Sequence, residues 1–138
     1  MTQIRLYQPE DYQKAKEILE LGGRYWEVSD SEQALLKKIS QDKESIIVAT
    51  DDGNIVGVMI ITSDFLPFFF RLSVHPDYRR KGIGKKLVEK GESILKSRGA
   101  NHINIIVSGD NKDAQTFYEK MGYERGGSYV WFTKGITP

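Results

Sequence analysis

A strand that empties into a basic loop with two glycines, the loop itself opening a helix, is the feature that most limits what this chain can become. The segment reads Leu72-Ser73-Val74-His75-Pro76-Asp77-Tyr78-Arg79-Arg80-Lys81-Gly82-Ile83-Gly84-Lys85. The first backbone N–H groups of a helix have no intrahelical partner, and the helix dipole adds partial positive charge at that end. Such a junction is an anion site, and a diphosphate is a frequent occupant. Gly82 and Gly84 remove side chains where backbone must approach a phosphate. Arg79, Arg80, Lys81, Lys85 and Lys86 surround it with positive charge. A solvated basic helix end and a nucleic-acid patch are the competing readings of the same run. Two other phosphate patterns fit poorly. Gly84-Lys85 is followed by Lys86, not by the Ser or Thr of a P-loop, and past the Gly82-x-Gly84 pair the chain reads Leu87-Val88, with Leu87 where a dinucleotide fingerprint needs its third glycine.

The rest of the chain supplies elements on both sides of this junction. Residues 3–7 alternate as a strand, Pro9-Glu10-Asp11 opens a helix, and Gly22-Gly23 ends it. Ser29 or Asp30 caps a second helix through Ile39. Residues 45–50 and 55–62 form a hairpin about Asp51-Asp52-Gly53-Asn54, and residues 68–74 form the fourth strand. A helix over about 84–98, a fifth strand over 102–107 and a helix from Asp110 or Asn111 to Met121 follow. Residues 123–126 and 128–134 read as two closing strands. The order βααβββαβαββ predicts an α/β (α+β) fold: one mixed sheet of about seven strands flanked by four helices on both faces.

Composition narrows the chemistry. A chain of 138 residues, 39% hydrophobic and 28% charged, has the size and core of one ordinary domain, 1–138. It contains no cysteine, which excludes disulfides and a thiol nucleophile, and two histidines, His75 and His102, argue against a histidine-rich metal site. No metal is expected. The net charge of +1 argues against nucleic acid as partner. The start, Met1-Thr2-Gln3-Ile4-Arg5, lacks a signal-peptide core, and no run has the length of a membrane helix. The expected location is the cytoplasm.

Arg79-x-x-Gly82-x-Gly84, entered through Val74-x-Pro76, resembles the [RQ]-x-x-G-x-[GA] acetyl-CoA motif of the GCN5-related N-acetyltransferases (GNAT). Asn111, seven residues before Tyr118, with Ala114, Phe117, Glu119, Lys120 and Gly122-Tyr123, is similar to a second segment of that family. The resemblance covers the whole element order and is strongest over residues 68–124.

The resemblance implies a mostly antiparallel sheet whose parallel strands 4 and 5 splay apart to admit the pantetheine arm of acetyl-CoA, the co-substrate. The backbone of Leu72, Ser73 and Val74 would hold that arm and the acetyl carbonyl, with Val74 N–H as oxyanion donor. Backbone from Arg80 through Lys81, Gly82, Ile83 and Gly84 to Lys85 would hold the diphosphate, with Arg79 opening the motif. Asn111 would contact the pantetheine or the thiol end, and Tyr118 would protonate the departing thiolate. A core aromatic is the plain alternative for Tyr118, and a helix cap for Asn111.

The implied activity is transfer of acetyl to a primary amine of a small molecule or a peptide, by direct attack in a ternary complex. A non-catalytic acyl-CoA-binding regulatory module is the alternative, because Ile106 stands where some relatives carry a glutamate base. Other candidates for the base are Glu27, Asp30, Asp64 and His75, or a bound water. The acceptor surface would draw on Arg24-Tyr25-Trp26-Glu27, Phe65-Leu66 and Ser128-Tyr129-Val130-Trp131. Arg71, a cation within an apolar strand, is expected to point to the sheet rim or to a carboxylate in a salt bridge, with an acidic group on the acceptor as the other reading. Strand pairing at the C-terminal end offers a route to a homodimer.

Overall fold

The computed structural model describes residues 1–137. Its backbone divides into two compact units, Met1–Ile106 and Val107–Pro138. The first unit runs β1 (Thr2–Leu6), a 3-10 turn (Pro9–Asp11), α1 (Tyr12–Leu21), α2 (Glu27–Asp30), α3 (Glu32–Gln41), β2 (Ile46–Asp51), β3 (Asn54–Thr62), β4 (Phe68–Val74), a second 3-10 turn (Pro76–Tyr78), α4 (Ile83–Ser97) and β5 (Asn104–Ile105). The strands lie in sequence order in one sheet. The pairs β1–β2, β2–β3 and β3–β4 are antiparallel, and β4–β5 is parallel.

Local chemistry explains these boundaries. Asp52 and Gly53 both take positive φ, 50° and 83°, the backbone that a tight hairpin between twisted strands needs. Ser31 is extended, and its Oγ accepts the Ala34 N–H at 3.2 Å. That cap starts α3 afresh, so the single helix expected from residue 29 or 30 is instead the short α2 followed by α3.

The sheet buries both faces. Strand side chains alternate, so Ile46, Val48, Val58 and Ile60 join Ala15, Ile18 and Leu19 of α1 in one core cluster. On the opposite face a Cβ built on Gly57 would meet Leu87 and Ile83 of α4, and one built on Gly91 of α4 would lie 2.6 Å from Met59 Cε and 2.7 Å from Phe69 Cζ. The helix thus lies against the sheet at a separation that only a bare Cα allows.

Arg98, just past α4, ties that helix to two loops. Its Nη1 and Nη2 donate to Asp42 Oδ2 and Oδ1, each at 2.8 Å, and further to Ser63 Oγ and Glu44 Oε1, each at 2.9 Å. The guanidinium holds the Asp42 carboxyl below its ordinary pKa, against a smaller opposing effect of burial and with help from the Glu44 N–H. A depressed folded pKa contributes stability above the unfolded value of about 3.9 that is lost as pH falls through the folded one. The unfolding midpoint should therefore drop on acidification below about pH 4, and Asp42→Asn should flatten that drop. The pair is partly exposed, so the effect should stay below about 1 kcal/mol; melts followed by circular dichroism between pH 3 and 6 check it.

The second unit contains α5 (Lys112–Lys120). Asn111 caps it, its Oδ1 accepting the Ala114 N–H at 3.0 Å, and Gly122 leaves it at φ 93°. Arg125 Nε donates to Glu119 Oε2 at 3.0 Å and Nη2 to Gln115 Oε1 at 2.8 Å.

The strand count is corrected. Among the described residues the sheet has five strands, not seven, and the α-helices number five, not four. Residues 121–137 form no strand, and the two expected over 123–126 and 128–134 are absent. The reason lies in the pattern: Tyr129-Val130-Trp131-Phe132 is apolar at every position and chooses no face, and all four side chains are exposed. The fifth strand, expected over 102–107, shrinks to Asn104–Ile105.

Candidate functional site

β4 is where the first unit departs from regular structure. Val58 pairs with Ser73 and Ile60 with Phe70, so two steps along β3 answer three along β4. Arg71 and Leu72 therefore share one place opposite Met59, a bulge, and Arg71 takes a left-handed φ of 60°. On the other side of β4 the parallel ladder consists of Phe68↔Asn104 and Phe69↔Ile105 and then stops. From Phe70 to Val74 that edge has no ladder partner among the described residues.

The direction of the free backbone groups follows from one bond. His75 N–H donates to Val56 O at 2.8 Å, toward β3. Successive N–H groups of a strand point to opposite edges, so Val74 N–H faces the unpaired side. Its carbonyl faces the same way, and Arg79 Nε donates to it at 3.3 Å. Arg79 thereby braces the end of β4 with its side chain. Ser73 Oγ is buried against Gly22 and has no hydrogen-bond partner.

Beyond β4, His75 Nδ1 accepts the Asp77 N–H at 3.1 Å and caps the second 3-10 turn. Arg80 and Gly82 are both left-handed, with φ of 63° and 79°. Alternation of left- and right-handed residues curls a chain so that successive N–H groups converge, the geometry of an anion nest. Gly82 is the N-cap of α4, supplies no capping side chain, and has open space where a Cβ would stand. The N–H groups of Ile83, Gly84 and Lys85 are thus the unpartnered donors of a helix start. Arg79, Arg80, Lys81, Lys85 and Lys86 are all exposed around it. Lys81 Nζ also lies 5.2 Å from the centre of the Tyr78 ring. These donors fit a diphosphate.

A second polar group lies on α1 and α2. Asp30, 1% exposed, accepts Arg71 Nε at 3.1 Å and the Trp26 N–H at 2.9 Å on Oδ2. Of the partners open to Arg71 from sequence, a carboxylate is the one it meets. The Tyr12 hydroxyl donates to the Asp30 carbonyl at 3.2 Å and lies 3.2 Å from the Tyr25 hydroxyl, which donates to Glu27. The Glu27 bond, then the Tyr12 bond, raises the pKa of Tyr25. Asp30 is buried and paired with Arg71, whereas Glu27 and Asp64 are exposed carboxylates.

Of the residues singled out from sequence, Leu72 to Val74 and Arg79 to Lys85 form one continuous stretch of the first unit. Asn111 and Tyr118 belong to the second. There Asn111 acts as a helix cap, and Tyr118 lies edge-on to Phe117 and Tyr123, with ring centres 5.0 Å and 5.7 Å away. Ile106 is 55% exposed and brings no carboxylate. Sequence reasoning missed the bulge at Arg71, although a lone cation within an apolar strand was its signal.

The chain is similar to several known proteins. The family model described as "Acetyltransferase (GNAT) family" matches residues 9–123. An acetyltransferase of Sodalis glossinidius is 31% identical over 135 residues, 97% of this chain and 95% of that protein. An acetyltransferase of Yersinia pestis is 32% identical over 123 residues, 88% and 87% of the two chains. Among solved structures, the PaiA N-acetyltransferase of Thermoplasma acidophilum in complex with coenzyme A superimposes with a TM-score of 0.82 at 24% identity, covering 94% of this chain and 93% of that one. Ard1 of Thermoplasma volcanium gives a TM-score of 0.81 at 23% identity, covering 91% and 84%. At these identities the two structures speak for the fold. Among the described residues no helix is long and apolar enough to cross a membrane.

Proposed function

The chain belongs to the acetyltransferase (GNAT) family and depends on acetyl-CoA, and we propose that it delivers the acetyl group to a primary amine of a small molecule or a peptide by direct attack in a ternary complex. One observation carries the reading: the unpaired edge of β4 leads, through the single short turn Pro76–Tyr78, to the segment that opens α4, where Arg80 and Gly82 are left-handed. The reading takes residues 1–138 as one domain, and the family match spans parts of both units.

Acetyl-CoA supplies a thioester carbonyl with a thiolate as leaving group. Backbone N–H groups from Arg80 to Lys85 hold the diphosphate, in the charge surplus of Arg80, Lys81 and Lys85. The Leu72–Val74 edge lines the pantetheine arm as a strand that completes no ladder. Val74 N–H donates to the thioester oxygen, and its bond strengthens as charge develops there. The neutral amine nitrogen bonds to the carbonyl carbon, the C–S bond breaks, and the Tyr118 hydroxyl gives its proton to the departing sulfur. The amine's proton leaves to water, and solvent restores the proton on Tyr118. Asn111, besides capping α5, contacts the thiol end of the pantetheine. Positioning of two bound reactants accounts for most of the rate.

Calorimetry with coenzyme A, followed by thiol release from acetyl-CoA across a panel of amines, tests this. Heat of binding and amine-dependent thiol are the expected results. Binding with no thiol from any amine would overturn the transfer reading. Gly82→Ala probes the diphosphate grip. A left-handed alanine costs about 1–2 kcal/mol, and escape from that backbone turns the N–H groups away, so coenzyme A should bind about tenfold more weakly. Titration of both proteins at one salt concentration decides it.

A further inference from the structure

We propose that the Asp30–Arg71 ion pair is a clasp that makes α2 and the bulged strand β4 move as one body, so that both are positioning residues for the acceptor. This rests on the acetyltransferase reading for its kinetic arm only.

The case begins with Arg71's backbone. A left-handed φ is disfavoured for any residue with a Cβ, and glycine would serve the bulge without strain. An arginine held there points to its side chain as the reason. Because the bulge lifts residue 71 out of the ladder's alternation, that side chain reaches α2, with Nε 3.1 Å from Asp30 Oδ2 and Nη2 3.2 Å from Ser29 Oγ. The partner is a carboxylate almost wholly removed from water, and a buried carboxylate without its cation is strongly disfavoured. Breaking the pair in the folded protein is therefore costly.

α2 has four residues, too few to persist alone. Three bonds to Asp30 fix it: Arg71 Nε and the Trp26 N–H to the carboxylate, and the Tyr12 hydroxyl to the carbonyl. Arg71, bonded to Asp30 and to Ser29, joins α2 to the strand whose next residues, Leu72 to Val74, carry the unladdered edge. Trp26 and Glu27, candidates for the acceptor wall, stand at the start of this short helix. The clasp thus sets the distance from the acceptor wall to the acyl-bearing strand, while the diphosphate segment at α4 lies outside it.

Two variants test the clasp. Arg71→Gly keeps the left-handed backbone and removes the tie. The double variant Asp30→Asn with Arg71→Gln removes both charges, so that no buried carboxylate is stranded if the first fails to fold. Hydrogen exchange at the amides of 26–31 and 71–74 should accelerate together, by about tenfold or more. The acceptor kcat/KM should fall about tenfold or more at saturating acetyl-CoA, while the coenzyme A Kd changes less than about threefold. Faster exchange at 26–31 with 71–74 unchanged would overturn the proposal. So would equal losses in acceptor kcat/KM and coenzyme A affinity, which mark a general loosening of the sheet. A wild-type protein that turns over no amine would sink the transfer reading instead, and the exchange result alone would then judge the clasp.

Discussion

Tyr118→Phe should lower the turnover number about a hundredfold or more, the scale at which a positioned general acid contributes, while coenzyme A affinity moves less than about threefold. The substitution removes one oxygen and keeps the ring, so the edge-on contacts with Phe117 and Tyr123 survive. Helix α5 keeps its Asn111 cap and its Arg125–Glu119 pair. A loss of turnover without a loss of binding or of melting temperature therefore isolates the hydroxyl. The chemistry favours a phenol for this task, because its ordinary pKa of about 10 lies near that of a thiol, and the proton passes with little penalty either way. Steady-state rates beside calorimetry give the answer. Wild-type turnover in the phenylalanine variant would leave Tyr118 as a packing residue.

Gly91→Val should cost about 3 kcal/mol of stability or more, enough to lower the denaturant midpoint by about 1 M or more in urea. A Cβ at residue 91 would lie 2.6 Å from Met59 Cε and 2.7 and 2.8 Å from Phe69 Cζ and Cε1. The methionine end can swing aside, but Phe69 is 2% exposed and its ring has nowhere to go. Valine adds two methyl groups to that collision. Alanine is the informative companion: it gains about 1 kcal/mol of helix propensity over glycine, so a net loss in Gly91→Ala would measure the clash directly. An alanine variant as stable as wild type would show that α4 can withdraw from the sheet. Urea unfolding with an unchanged slope tests both.

Much of the fold was legible because its cues are local. The Asp52-Gly53 turn, Gly22 after α1 and Gly122 after α5 fall where the residues demand. The β4 span, 68–74, has the bounds that the turn ending at Pro67 and the exit at His75-Pro76 gave it. The glycine-bearing start of α4 was legible for the same reason: unpartnered N–H groups and glycines are properties of a short stretch. What sequence withheld was set by neighbours. The bulge depends on register against β3, and the break before α3 on a single serine choosing an extended backbone. The two closing strands failed because an apolar run with no alternation names no partner. Asp30 looked like a free acid until the fold brought Arg71 to it across 41 positions of sequence.

The brevity of β5 has a consequence for how firmly the edge of the sheet is held. β2, β3 and β4 follow one another through short connections, so their pairing closes only small loops and can form early. β5 returns from beyond a whole helix and gains only two rungs, so it is the least firmly held strand of the sheet. The seam beside β4 can therefore breathe while the meander of earlier strands stays intact, and a long flexible guest could thread into it at little expense to the frame.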